Sequence, residues 1–262
     1  MTESTVSEPG STPLLAVQGG VATLTLNRPA HRNRLHNDDL RVLLQHFKTI
    51  NDDASVRVAV LTGSVLPERP VFCAGYHIGQ HGGEHADATF EAVADALEAL
   101  RPVTVCALNG SVYGGATDFA LACDFAIGVE GMEMRMPAAA LGLHYYPGGI
   151  SRYVSRLGLV LAKRAFLGAE TFDAPELLRM GYVQQLVAPD QFGAAVQARV
   201  GQLLQMAPLA LQTLKVSLNE VARGDFDAAR LRQRQHFTQA SRDFAEGCQA
   251  FGERRKPVFT GQ

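Results

Sequence analysis

No run of apolar residues in this chain is long enough to span a bilayer. Its first residues lack both the basic start and the apolar stretch of a secretory leader. These absences argue against a membrane-spanning helix and a secretory leader, and lead to the expectation of a cytoplasmic protein. Charge of one sign is also lacking. A formal net charge of -2 over 262 residues, with no basic stripe interleaved with aromatics, supplies no long-range pull on nucleic acid or anionic lipid. Any anion site must therefore be local. Cysteine is sparse, and Cys73, Cys106, Cys123 and Cys248 lack the close pairing of a zinc site, so they read as reduced thiols. No low-complexity tract or dinucleotide-type period divides the chain.

What is present is an ordinary globular composition, 47% hydrophobic and 19% charged, enough for one sizeable core. Residues 1–12 form a polar tail with too little apolar surface to offset its ordering entropy. Residues 14–26 alternate around Gly19-Gly20, a hairpin signal, and Asn27-Arg28-Pro29 ends the second strand. Leu40, Leu43, Leu44 and Phe47 repeat at helical spacing after Asn37, and residues 56–61 read as a buried strand. The pattern then recurs. Val71-Phe72-Cys73, a Gly- and His-rich loop over 75–83, a helix over about 88–100 and a strand over 103–108 are followed by Asn109-Gly110. Gly114-Gly115, a helix through Asp118 and Leu121, and a strand over 125–129 come next. Strands and helices that alternate through short links predict an α/β fold with mostly parallel pairing. The domain organisation expected is the tail, a core over 13–190 and a helical region over 191–262. Helices are predicted over 191–206, 209–222 and 225–247, broken at Pro208 and Gly224.

Two loops stand out chemically. In Phe72-Cys73-Ala74-Gly75-Tyr76-His77-Ile78 a buried strand runs into a glycine, where a sharp turn either aims amide hydrogens outward or simply ends the strand. In Asn109 to Asp118 a strand leads through Gly114-Gly115 into a helix start, whose unpaired amides favour an oxyanion. Asp118 suits that helix start electrostatically with or without a catalytic role. His77, His81 and His85 fall at four-residue spacing, but Gly79, Gly82 and Gly83 argue against the helix that would put them on one face, so no metal site is expected.

Taken together and in order, these segments resemble the crotonase superfamily, also called the enoyl-CoA hydratase/isomerase family. The resemblance runs from Leu14 to Phe259. It rests on Asn27-Arg28-Pro29 with Arg32-Asn33, the Phe72 to Ile78 loop, Asn109-Gly110 to Asp124, and Pro137 with Leu141-Gly142 and Gly148-Gly149. Ala174 to Gly181 and the tail Arg254 to Phe259 complete it. It implies a crotonase-like spiral of ββα units whose C-terminal helices serve trimer contacts, as a trimer or a hexamer of two stacked trimers. It also implies an acyl-CoA substrate, no further cofactor, and an oxyanion hole made by the backbone amides of Tyr76 and Gly115. The CoA nucleotide would lie near His31, Arg32, Arg34 and Ala74, with Lys256 reaching in from a neighbouring subunit; Arg and Lys suit phosphate, though a solvated basic surface has the same composition.

The sequence departs from the family's hydratases at one decisive place. Those enzymes carry a glutamate at the Asp118 position and another directly after the proline aligned with Pro137, where this chain has Ala138. Adding water needs one group to activate it and another to manage the proton, and alanine does neither. In its place stands His144-Tyr145-Tyr146-Pro147, similar to the methylmalonyl-CoA decarboxylase branch, which has a tyrosine at the Tyr145 position but a histidine where this chain has Tyr76. The expectation is a lyase on a small acyl-CoA, decarboxylase-like or an atypical hydratase, with Asp118 and Tyr145 as catalytic candidates and His144 and Tyr146 as acyl-pocket candidates. Packing alone also explains the tyrosines. A thioester hydrolase using Asp118 or His144, or an inactive CoA-binding oligomer partner, stays open beside it.

Overall fold

Each pair of consecutive strands in the middle of the chain is split between two sheets. The computed structural model describes residues 10–77, 79 and 89–262. β1 (Leu14–Gln18) and β2 (Val21–Leu26) form the hairpin at Gly19-Gly20, with Leu14 opposite Thr25. α1 (Asn37–Asp52) then buries Leu40, Leu43, Phe47 and Ile50, the face predicted by helical spacing. β3 (Val58–Gly63), β5 (Val103–Leu108), β7 (Phe125–Val129) and β10 (Gln185–Val187) extend the first sheet in the order β1-β2-β3-β5-β7-β10, antiparallel only at the hairpin. The second sheet takes the intervening strands β4 (Val71–Cys73), β6 (Ser111–Tyr113), β8 (Glu133–Arg135) and β9 (Thr171–Asp173). The chain thus visits one sheet, then the other, then a helix: β3-β4-α2 (Phe90–Glu98), then β5-β6-α3 (Thr117–Ala122). This is the expected spiral of ββα units.

Every residue of β5 is buried, as befits a parallel strand covered on both faces. On one face Val58, Val60, Val103, Val105 and Ile127 meet Leu203 of α7 (Phe192–Leu204); on the other lies the main core between the sheets. Between β8 and β10 the chain adds α4 (Pro147–Leu157), α5 (Leu159–Phe166) and α6 (Ala174–Arg179), the first two packed together. α8 (Pro208–Ala222) follows α7, with Pro208 as its first residue at the expected break.

The long helix predicted over 225–247 is two helices, α9 (Ala228–Gln239) and α10 (Arg242–Glu253). Ser241 breaks it, because its hydroxyl accepts the Phe244 N–H at 3.0 Å and caps a new helix instead of continuing the old one. No described helix is long and apolar enough to cross a membrane. Cys73, Cys106 and Cys123 are buried free thiols, and Cys248 is an exposed one.

Candidate active site

β4 and β6 are parallel neighbours, so the loops at their C-terminal ends emerge side by side. Gly75, in the first loop, has φ +88°, a left-handed conformation that side chains resist. A Cβ there would stand 2.9 Å from the Tyr113 carbonyl oxygen and 3.4 Å from the Gly115 nitrogen, so the two loops meet backbone to backbone. A third segment locks the corner. Asn33 is buried, and its side-chain amide donates to the Ser64 and Phe72 carbonyls at 2.8 and 3.0 Å while its oxygen accepts the Arg28 N–H at 2.9 Å. Backbone bonds from Ala74 to Arg32 and from Leu35 to Gly75 then zip residues 32–35 onto the first loop. Phe90, the first residue of α2, lies over Gly115, where an added Cβ would sit 3.1 Å from its ring, and it stacks on Phe119. The Tyr76 ring meets Phe90 edge-on, and its hydroxyl is bonded to Asn37.

Asp118 has no solvent exposure. Arg152 of α4 grips its carboxylate with Nε at 2.9 Å from Oδ1 and Nη2 at 2.6 Å from Oδ2, and the Tyr146 hydroxyl donates to Oδ2 at 2.7 Å. A carboxylate so engaged is an acceptor held in a fork, the strong geometry for such a pair. Arg152 also bonds Asp95 at 2.8 Å and Glu98 at 3.3 Å on α2, and Glu98 accepts from Arg156 and Arg223 as well. For the Arg152 guanidinium, burial favours loss of the proton, but the bonds to Asp118 and Asp95 outweigh it and hold its pKa above the ordinary value.

Tyr145 and Tyr146 stack with ring centroids 4.1 Å apart, over Gly149, where any Cβ would overlap the Tyr145 ring. The Tyr145 hydroxyl faces the Tyr146 oxygen at 3.0 Å and the Gly115 carbonyl at 3.3 Å. Burial first, and the neighbouring Asp118 charge second, push both phenols above their usual range, so both stay protonated. This end of the site is therefore a wall of neutral rings beside the Gly115 backbone, and Ala138 is buried.

The remaining candidates spread out. His144 is exposed, with Nδ1 2.8 Å from the Tyr145 carbonyl. His31 and Arg32 are exposed at the end of a short 3-10 turn (Pro29–His31); Arg34 is half-buried with its Nε unpartnered among the described residues. Arg32 also lines a cleft of about 330 Å³ with Arg69, Ser111, Tyr113 and Glu130. The structure gathers Arg32, Arg34 and Ala74 at one corner and places Lys256, exposed, on the tail that runs back along α10. Of the three histidines, His77 stacks on His36 with centroids 5.0 Å apart, while His81 and His85 lie outside the described residues. Among the described residues no group of His, Cys, Asp or Glu is arranged to hold a metal ion.

Sequence reasoning overlooked Arg152, Phe90 and Thr117. For Arg152 a signal existed: Asp95 and Glu98 sit three apart on one helix, Arg152 and Arg156 four apart on another, and charges so spaced share a face. Phe90 and Thr117 carry no such mark, because an aromatic or a hydroxyl at a helix start is commonplace.

Comparison with known proteins agrees with this architecture. The enoyl-CoA hydratase/isomerase family pattern matches residues 16–262. The chain is 29% identical over 254 residues to a crotonyl-CoA hydratase of Syntrophomonas wolfei, covering 94% of this chain and 96% of that protein. It is 29% identical over 255 residues to a 2,3-dehydroadipyl-CoA hydratase of Escherichia coli, covering 95% and 98%. A solved enoyl-CoA hydratase/carnithine racemase of Magnetospirillum magneticum superposes with a TM-score of 0.85 at 27% identity, over 96% of each chain. Two interleaved sheets, the backbone corner at Gly75 and Gly115, and a family match over nearly the whole length together place this chain in the enoyl-CoA hydratase/isomerase, or crotonase, family.

Proposed function

We propose that the protein is a lyase for a small acyl-CoA that works by polarising the thioester and cleaving a bond without a carboxylate base, in the manner of a decarboxylase. The observation that carries this reading is the engagement of Asp118: the one acid left at the family's catalytic positions is buried in the fork of Arg152 and bonded by Tyr146, and Ala138 stands at the other position. Loss of carbon dioxide needs no base. The carbon–carboxylate bond breaks, its electron pair passes into the thioester as an enolate, and a proton from solvent then adds at the α-carbon. The amides of Tyr76 and Gly115 hold the developing oxyanion, and losing such a donor costs roughly a hundredfold or more in rate. Tyr145 orients the leaving carboxylate. Its hydroxyl has one proton and two long acceptors, at 3.0 and 3.3 Å, either of which a substrate oxygen can replace. Tyr146, with His144 at the rim, narrows the acyl end. His31, Arg32, Arg34 and Ala74 take the nucleotide, joined by Lys256 of the partner subunit in a trimer or hexamer.

Hydration of an enoyl thioester is the second reading, favoured by the hydratase names of the relatives. Mass spectrometry of products from a mixture of malonyl-type, enoyl and hydroxyacyl thioesters of CoA separates the readings. Decarboxylation shortens a malonyl-type thioester by carbon dioxide. A gain of water on an enoyl thioester establishes hydration instead, and release of free CoA establishes hydrolysis. Retained CoA binding with no product from any thioester leaves a binding subunit.

A further inference from the structure

The Gly115 amide proposed above as an oxyanion donor belongs to the peptide whose other end is the Gly114 carbonyl. A trans peptide is planar, so its C=O and N–H point in opposite directions within one plane. Whatever holds the Gly114 oxygen therefore aims the Gly115 hydrogen. In this structure Thr117 holds it twice, through its backbone N–H and through Oγ1 at 2.6 Å. A second hydroxyl lies beyond. Thr117 Oγ1 is also 2.6 Å from the Tyr153 hydroxyl, and because the Gly114 carbonyl can only accept, the Thr117 proton must go to it. The Tyr153 proton then goes to Thr117 Oγ1, and the chain runs one way, from Tyr153 to Thr117 to Gly114.

Both residues are wholly buried, so water does not compete for these bonds, and the Tyr182 hydroxyl fixes the Thr117 carbonyl at 2.7 Å. A carbonyl that accepts two hydrogen bonds draws charge along its peptide, which strengthens the N–H at the other end as a donor. We infer that Thr117 is a positioning residue for the Gly115 amide: its hydroxyl, held by Tyr153, pins and polarises the Gly114–Gly115 peptide so that the N–H is set before the thioester arrives. The inference rests on reading Gly115 as an oxyanion donor.

The test uses acetyl-CoA carrying carbon-13 at the thioester carbonyl, bound to the full-length protein, with the carbonyl stretch followed by isotope-edited infrared spectroscopy. In the native protein the stretch moves to lower frequency on binding. In Thr117→Val, which keeps shape but not the hydroxyl, a third or more of that shift is lost, and Thr117→Ser restores it. With the substrate found by the product screen, Thr117→Val lowers kcat about five- to tenfold, the scale of one net hydrogen bond, while KM changes less than twofold. Tyr153→Phe loses a smaller part of the shift and serves as the deciding variant should Thr117→Val not fold. A full native shift in both Thr117→Val and Tyr153→Phe overturns the role of Thr117 and leaves the oxyanion reading intact. If the native protein binds acetyl-CoA with no shift, the oxyanion reading itself fails, and the inference with it.

Discussion

The charges around Arg152 and the apolar residues of the last helices are opposite solutions to surface that water cannot serve well. Around Arg152, α2, α3, α4 and α8 bring Asp95, Glu98 and Asp118 against Arg152, Arg156 and Arg223, and every one of these charges finds its counter-charge within the chain. On α9 and α10 the chain leaves its apolar groups unmatched. α9 buries no residue, and Phe237, Phe244 and Phe251 are 55%, 51% and 88% exposed. Contiguous exposed apolar surface marks interaction sites. The contrast teaches that the region around Arg152 pairs its charges within the chain, whereas the last two helices leave apolar rings exposed, which the proposed trimer or hexamer would cover.

The largest expected effect comes from breaking the closed region. Arg152→Met leaves Asp118 buried without its counter-charge, while Glu98 keeps Arg156 and Arg223; this should destabilise the protein by about 3 kcal/mol or more and lower the melting temperature by roughly 10 °C. Adding Asp118→Leu should recover part of that loss, since a buried charge is removed along with its partner. Thermal melts followed by circular dichroism decide it, and a drop under about 2 °C for the single variant would mean the network is not holding α4 to α2.

An intermediate effect belongs to the last two helices. Light scattering at micromolar protein should give three or six times the 28.2 kDa chain mass, and Phe251→Glu should shift the distribution toward smaller species while the chain stays folded. A monomer for the unaltered protein would remove the proposed assembly and the contribution of Lys256 from a partner subunit.

The smallest expected effect lies at the corner between α1 and the first loop. Burial, chiefly, with help from Arg28, Arg34 and His77 and against the pull of Asp39, holds the His36 pKa below its ordinary value of 6.5. The unfolded chain therefore takes up the proton more readily than the folded one. The stability that His36 contributes is full above about pH 6.5 and is lost as pH falls toward the folded-state value. Urea melts at pH 7.5 and 5.5 should show a shallower pH dependence for His36→Asn than for the unaltered chain. Parallel slopes would sink the linkage.

Much of this molecule was written along its length. Gly19-Gly20 determined the hairpin, the spacing of Leu40, Leu43 and Phe47 determined the buried face of α1, and the alternation of short strands with helices determined the α/β class with mostly parallel pairing, because each of these depends on neighbours within a few residues; the spiral of ββα units was implied only by the family resemblance. Alanine at position 138, where the family resemblance implies a second acid, was equally plain, since a side chain's identity needs no structure to be read. Other features were decided only by tertiary structure. Asp118 stood in the sequence as a catalytic candidate or a helix-start acid, and only the fold shows it held by Arg152, 34 residues away, and by Tyr146. Helical periodicity tells which face of α2 and of α4 is inward but not which two faces meet. The Gly75–Gly115 contact, the ring of Phe90 above it, and the hydroxyl chain from Tyr153 through Thr117 likewise exist only because parallel β4 and β6 deliver their loop ends to one corner. Side-chain chemistry is local and legible, whereas the partner that occupies or frees a side chain is chosen by packing between segments that the sequence keeps far apart.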